Sequence, residues 1–216
     1  MIEAVFFDAG GTLIHTDPRA WLPRVLERFG EAADWSRLPE VLPPIFYWYD
    51  EAHLAADTRE KAVELWRDFD RRLLAGLGVK RAEAIADWLV EHWAEENLWP
   101  RTPGTPEVVH ELKARGLRLA VVSNWDVLLP EILEAMGLDG AFEAVVVSAA
   151  LGVKKPHPAI YRAALEAMEV APERVLFVGD RPDADVEAPK KLGMQAMRVA
   201  PETGIWPVLE RLTAPG

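Results

Sequence analysis

The chain contains no cysteine. That absence excludes a disulfide frame, a thiolate nucleophile and a Cys-ligated zinc or iron–sulfur site, so any chemistry must come from carboxylates, hydroxyls, lysine, histidine or a hard metal ion. Basic residues are also scarce: 24 Lys and Arg stand against 35 Asp and Glu, a net charge of −11, with no block of like charge that could serve a phosphate backbone. Nucleic acid is not an expected partner. No stretch reaches the roughly 18 apolar residues of a membrane span. The opening Met-Ile-Glu-Ala-Val-Phe-Phe-Asp carries no basic segment, so a cytoplasmic location without a membrane partner is expected. His15, His53, His92, His110 and His157 show no His-Glu-x-x-His spacing, which leaves a zinc hydrolase unsupported. No Gly-x-Gly-x-x-Gly follows the first apolar run, and no P-loop lysine follows Gly10-Gly11, so a nucleotide cofactor is not implied.

What is present is a chain of 216 residues, half of them apolar, enough for one substantial core with a smaller appended module. Five short runs rich in Val, Phe and Leu read as buried strands: Ile2 to Phe7, Leu117 to Ser123, Ala144 to Ser148, Val175 to Gly179 and Ala196 to Val199. Helical patterns separate the later runs. One starts at Thr105-Pro106-Glu107 and stops at Gly116, one runs from Pro158 to about Met168, and one runs from about Pro182 to Gly193. This alternation predicts an α/β fold, a doubly wound, Rossmann-like parallel sheet. Residues 17–99 break the pattern with helical periodicity and no convincing strand, which predicts an inserted all-helical module flanked by a core of residues 1–16 and 100–216. The chain should cross near residues 14 to 18 and again at Pro100 to Gly104. Seven of the nine Trp fall between Trp21 and Trp99, either as filling for a small helical core or as a recognition surface, for which Ile45 to Tyr49 is the best candidate.

In an open α/β sheet, ligands bind beyond the carboxyl ends of the strands. Four such ends carry reactive groups here. Asp8 leaves the first run into Ala9-Gly10-Gly11, where backbone N–H groups can surround an anion; a carboxylate there can equally be capping a turn. Ser123-Asn124 ends the second, as phosphate donors or as turn chemistry. Lys155 precedes Pro156 and the start of a helix, a placement also common for solvated lysines. Asp180 follows Gly179 with Asp183 and Asp185 close behind, and facing acidic strand ends repel unless a cation joins them.

In this order, with a helical insertion between the first two, the four segments resemble the haloacid dehalogenase superfamily, a group of mainly Mg²⁺-dependent phosphatases. The resemblance covers essentially the whole chain and makes the insertion a cap. It implies that Asp8 is a nucleophile forming an aspartyl-phosphate, that Ser123 and Lys155 bind the transferring phosphoryl group, and that Asn124 with the backbone of Ala9 and Gly10 orients it. It implies a Mg²⁺ site from Asp8, the Gly10 carbonyl and Asp180, with Asp185 in direct or water-mediated support. The expected partner is a small phosphorylated molecule; oligomeric state stays open.

One position departs from the family pattern. Family phosphatases usually carry a second aspartate two residues after the nucleophile, as general acid, and this chain has Gly10 there. Loss of a positioned acid costs roughly 10² to 10⁴ in rate when the leaving group needs a proton, so aryl and acyl phosphates should outrun alkyl phosphates. His15 and Asp17 are the nearby groups that could replace it, or could serve as hinge and cap. Two further readings remain: a metal-independent 2-haloacid dehalogenase, which needs no acid, and a binding protein with a vestigial site. Phosphonate hydrolysis and mutase activity are disfavoured, the first by the few cap lysines, Lys61 and Lys80, the second by the missing acid.

Overall fold

The computed structural model describes residues 1–94 and 98–213. Five strands, β1 (Ala4–Phe7), β2 (Arg118–Ser123), β3 (Ala144–Val147), β4 (Val175–Gly179) and β5 (Gln195–Arg198), form one parallel sheet in the order β3-β2-β1-β4-β5. Each lies within two residues of its expected run. Every residue of β1 is fully buried, as a central strand covered on both faces requires. Its side chains alternate between two cores: Val5 and Phe7 pack on one face, Ala4 and Phe6 on the other.

Between residues 17 and 99 the described residues form helices α1 (Leu22–Phe29), α2 (Leu38–Ala52), α3 (Arg59–Gly76) and α4 (Ala82–His92), with short 3₁₀ turns ahead of the first three and no strand. Helix α3 shows why this segment is helical. Thr58 caps its N-terminus by accepting from Lys61 N, and Ala62, Leu65, Phe69 and Leu73 recur at helical spacing on its buried side. The chain leaves and re-enters the sheet domain at one place, where Ile14 pairs with Arg101, His15 N donates to Pro100 O at 2.7 Å and Thr102 N donates to Leu13 O at 3.0 Å. Both crossings therefore sit side by side.

The remaining helices are α5 (Thr105–Ala114), α6 (Leu129–Ala135), α7 (Ser148–Leu151), α8 (Pro158–Ala167), α9 (Ala188–Lys191) and α10 (Pro207–Thr213). Apolar residues of α5, α6 and α10 cover the Val5/Phe7 face, and those of α8 and α9 cover the other. The continuous helix expected from Pro182 to Gly193 is instead a π-helical segment, Pro182–Glu187, followed by the short α9. The wide turn has a local cause: Asp185 reaches back to accept from Arg181 N at 2.9 Å, and the Tyr161 hydroxyl donates to the Ala184 carbonyl. Among the described residues no helix is long and apolar enough to cross a membrane.

Candidate active site

Parallel pairing in register brings the carboxyl ends of β2, β1 and β4 level, and three of the sequence-predicted segments emerge there; the fourth, with Lys155, leaves no strand directly but comes in from the loop after α7. Asp8 continues β1 and donates its N–H to Val178 O at 2.9 Å. The loop that follows folds onto Ala9, whose carbonyl accepts from the N–H groups of Thr12, Leu13 and Ile14. The N–H groups of Ala9 and Gly10 make no hydrogen bond to any described residue, so they remain as donors for an anion. Gly11 has φ +74°, and a Cβ there would stand 2.5 Å from Asp180 Oδ2, so only glycine lets the loop lie against that carboxylate.

Ser123 Oγ and Lys155 Nζ both donate to Asp8 Oδ1, each at 2.8 Å, leaving Oδ2 without a hydrogen-bond partner among the described residues. Lys155 also donates to Asp185 Oδ1 at 2.7 Å. Burial works to lower the Lys155 pKa, but the charges of Asp8 and Asp185 outweigh it and the net shift is upward, so the ammonium stays charged. Asn124 sits at the predicted strand end with its amide turned to Lys155: Oδ1 accepts from Lys155 N at 2.7 Å and Nδ2 donates to Lys155 O at 3.0 Å. It positions the lysine.

Asp8, Asp180 and Asp185 each offer a carboxylate oxygen within 4.8 Å of the others. Burial first, then the charges of Asp8 and Asp185, push Asp180 up to about 6. Asp185 is fully buried, and its two oxygens already accept from Lys155 and from Arg181 N. Gly179 makes this seat possible, because a Cβ there would fall 2.3 Å from Asp185 Cγ. Asp17 caps the turn at Pro18 and is bonded to Arg19, which holds its carboxyl below the usual range.

A cavity of about 810 Å³ opens between these groups and the inserted helices. Asp8, Ser123, Lys155 and Asp180 line its sheet side, and Phe46, Trp66, Phe69, Trp93 and Trp99 line much of the rest. The candidate surface Ile45 to Tyr49 is therefore divided: Phe46, Tyr47 and Tyr49 line the cavity, Ile45 is buried in the core, and Trp48 lies under the Arg72 guanidinium. His15 lines the cavity as well. A Cβ on Gly10 would meet Trp125 Cζ3 at 3.3 Å and Thr16 Cγ2 at 3.5 Å, so the indole of Trp125 crowds the place where a family phosphatase carries its acid.

Three polar residues of this region were not singled out from the sequence. Asp126, fully buried, accepts from Tyr49 OH at 2.7 Å and from Trp66 Nε1 at 2.9 Å, both on inserted helices, and from Leu128 N at 2.9 Å. Ser148 Oγ lies 2.6 Å from His53 Nε2 across the same junction, and burial lowers the His53 pKa. Asp70 on α3 is 8% exposed, lines the cavity, and has no hydrogen bond or ion pair among the described residues; burial alone pushes its carboxyl up to about 8.

Asp70 carries a prediction. The unfolded chain ionises this carboxyl near 3.8 and the folded chain near 8, so between those values the folded state holds the extra proton and loses stability as pH rises. At pH 8, Asp70→Leu should be more stable than the native protein by about 1 to 3 kcal/mol. The difference should shrink toward pH 4, as urea unfolding at both pH values would show.

The model of the haloacid dehalogenase-like hydrolase family matches residues 2–193. A haloacid dehalogenase-like hydrolase domain-containing protein 3 from Bos taurus is 34% identical over 138 residues, covering 62% of this chain and 55% of the relative. The chain thus spans little more than half the length of that relative. A glyceraldehyde 3-phosphate phosphatase from Pyrococcus abyssi is 30% identical over 207 residues, 91% of this chain and 81% of the relative. The solved L-2-haloacid dehalogenase of Xanthobacter autotrophicus superposes with a TM-score of 0.64 at 26% identity, covering 92% of this chain and 78% of that one. The family match runs without interruption from β1 past Asp185, taking in the inserted helices and all four predicted segments, and the chain belongs to the haloacid dehalogenase-like hydrolases.

Proposed function

We propose that the protein is a Mg²⁺-dependent phosphatase acting on a small phosphorylated molecule through an aspartyl-phosphate on Asp8. The observation that carries this reading is the asymmetry of the Asp8 carboxylate. Oδ1 is held by Ser123 and Lys155, and Oδ2 is free beside Asp180 in a cavity able to hold a substrate. Oδ2 would attack phosphorus, forming the Asp8 O–P bond as the bond from phosphorus to the leaving oxygen breaks. Water would then hydrolyse the acyl phosphate, releasing inorganic phosphate and restoring the carboxylate. Ser123, Lys155 and the free N–H groups of Ala9 and Gly10 would hold the phosphoryl oxygens. Similarity to a glyceraldehyde 3-phosphate phosphatase supports a small phosphorylated substrate.

The residues present fit a hard divalent cation. Three carboxylates within 4.8 Å face one ammonium, and the Asp180 carboxyl is raised first by burial and then by the charges of Asp8 and Asp185, a repulsion that a cation would relieve. Asp8, Asp180 and the Gly10 carbonyl would hold it, and Asp185 would act mainly by fixing Lys155 and the Arg181 backbone. Mg²⁺ bound there supplies positive charge for the phosphoryl oxygens. Glycine at position 10 leaves no acid in the usual place, so leaving groups that depart as stable anions should react fastest.

The metal-independent dehalogenase reading is favoured by the same missing acid and by the Xanthobacter neighbour. Against it stands Asp180, a second carboxylate beside the nucleophile with no role in halide displacement. Initial rates on aryl, acyl and alkyl phosphates and on a 2-haloacid, with Mg²⁺ and with chelator, decide between them. Phosphate release that chelator abolishes is the expected result. Halide release in chelator would replace this reading with the dehalogenase one, and neither product from folded protein would make the site vestigial.

A further inference from the structure

The cavity has two unlike ends. At the sheet, Asp8, Ser123 and Lys155 form the phosphoryl end; within the inserted helices the wall is apolar, aromatic and aliphatic, apart from two acids, Asp50, which is bonded to Lys154, and Asp70. Val63, Trp66 and Asp70 stand at helical spacing along α3, and all three line the cavity. The helix turns a carboxyl group into a largely apolar space that the rings of Phe46, Trp66, Phe69, Trp93 and Trp99 help to line. Charges on the protein do not answer it. The cations that share the lining, Lys155 and Arg181, are bonded to other carboxylates: Lys155 to Asp8 and Asp185, Arg181 to Asp183. A carboxyl that is nine-tenths buried and has no protein partner among the described residues leaves its hydrogen-bonding capacity to whatever occupies the cavity it lines.

The chemistry of the wall selects the ligand group that would supply the missing partner. Ring faces carry negative charge density, so the cavity disfavours an anion and attracts a cation, and an acid beside them can give up its proton to pair with that cation. A neutral hydroxyl would satisfy the carboxyl and gain nothing from the rings. An ammonium group gains from both and brings N–H donors.

We propose that Asp70 and the neighbouring rings of Trp66 and Phe69 form a subsite for a primary ammonium group on the non-phosphate end of the substrate, which makes aminoalkyl phosphates the preferred substrate class. The substrate part of this inference rests on the phosphatase reading; the binding part does not.

The test separates the two. Calorimetric titration of the folded protein with 2-phenylethylammonium and with its neutral counterpart 2-phenylethanol, in the absence of Mg²⁺, should show the cation binding at least about tenfold tighter. Asp70→Asn and Asp70→Leu should each erase that preference. Turnover is then compared between 2-aminoethyl phosphate and ethyl phosphate. The native protein should favour the amine by about tenfold or more in kcat/KM, mostly through KM, and both variants should bring the ratio near one. An alcohol that binds as tightly as the cation, or a preference for the cation that survives both substitutions, would overturn the subsite. Cation binding that depends on Asp70 without turnover of either ester would uphold the subsite and sink the phosphatase reading. Turnover of both esters at equal kcat/KM by the native protein would do the reverse.

Discussion

Asp8→Asn is expected to hydrolyse an aryl phosphate about 10³-fold more slowly than the native protein, or worse, while keeping its fold. The amide has the shape of the carboxylate and its oxygen can still accept from Ser123, but it offers no anionic oxygen to attack phosphorus. Stability should change little because Lys155 keeps a second carboxylate, Asp185, at 2.7 Å, so no buried charge is left alone. The substitution also removes one of the charges that raise the Asp180 pKa. Steady-state rates with saturating Mg²⁺, beside a urea unfolding curve, check both halves. A variant within tenfold of the native rate would mean that Asp8 is not the nucleophile.

The second large effect is expected at Lys155, which joins two functions in one ammonium. Lys155→Met keeps the length of the side chain and removes the one cation that, among the described residues, is bonded to Asp8 or Asp185, leaving two buried carboxylates face to face. Breaking a buried ion pair by removing one partner costs about 3 to 5 kcal/mol. That is a large share of the roughly 5 to 15 kcal/mol by which a domain of ordinary stability holds its fold. The melting temperature should fall sharply, and whatever remains folded should have lost the donor that fixes Asp8 Oδ1. Adding Asp185→Asn to Lys155→Met should restore part of the stability without restoring activity, since it removes one of the opposed charges and keeps an acceptor for Arg181 N. Equal stability of the single and double variants would show that packing, not charge, is what Lys155 contributes.

The sheet was legible because its strands are buried on both faces. A run such as Ala4–Phe7 must then be continuously apolar, and its reactive neighbour must follow at the carboxyl end. Asp8, Ser123, Lys155 and Asp180 could be read for this reason: each marks the exit of a strand or the turn before a helix. Other residues depend on which helix meets which loop. Asp126 meets Tyr49 and Trp66 across separations of 77 and 60 residues, and nothing local to Asp126 distinguishes it from a turn carboxylate. Asp70 was equally silent, because an acid within a helical pattern reads as part of the solvated face and only packing against the cavity turns that face inward. Asn124 shows a subtler limit: its position could be read, whereas the direction of its amide, toward Lys155, follows from the loop that carries the lysine.

The indole beside Gly10 also constrains how this sequence could change. An aspartate introduced at position 10 by a single mutation would put its Cβ 3.3 Å from Trp125 Cζ3, so the indole, whose ring neighbours are Tyr49, Trp66 and Trp99, would have to give by a few tenths of an ångström. Regaining the acid therefore draws on the ring cluster as well as on the loop. The two positions are coupled, and a smaller side chain at 125 should ease the return of a carboxylate at 10.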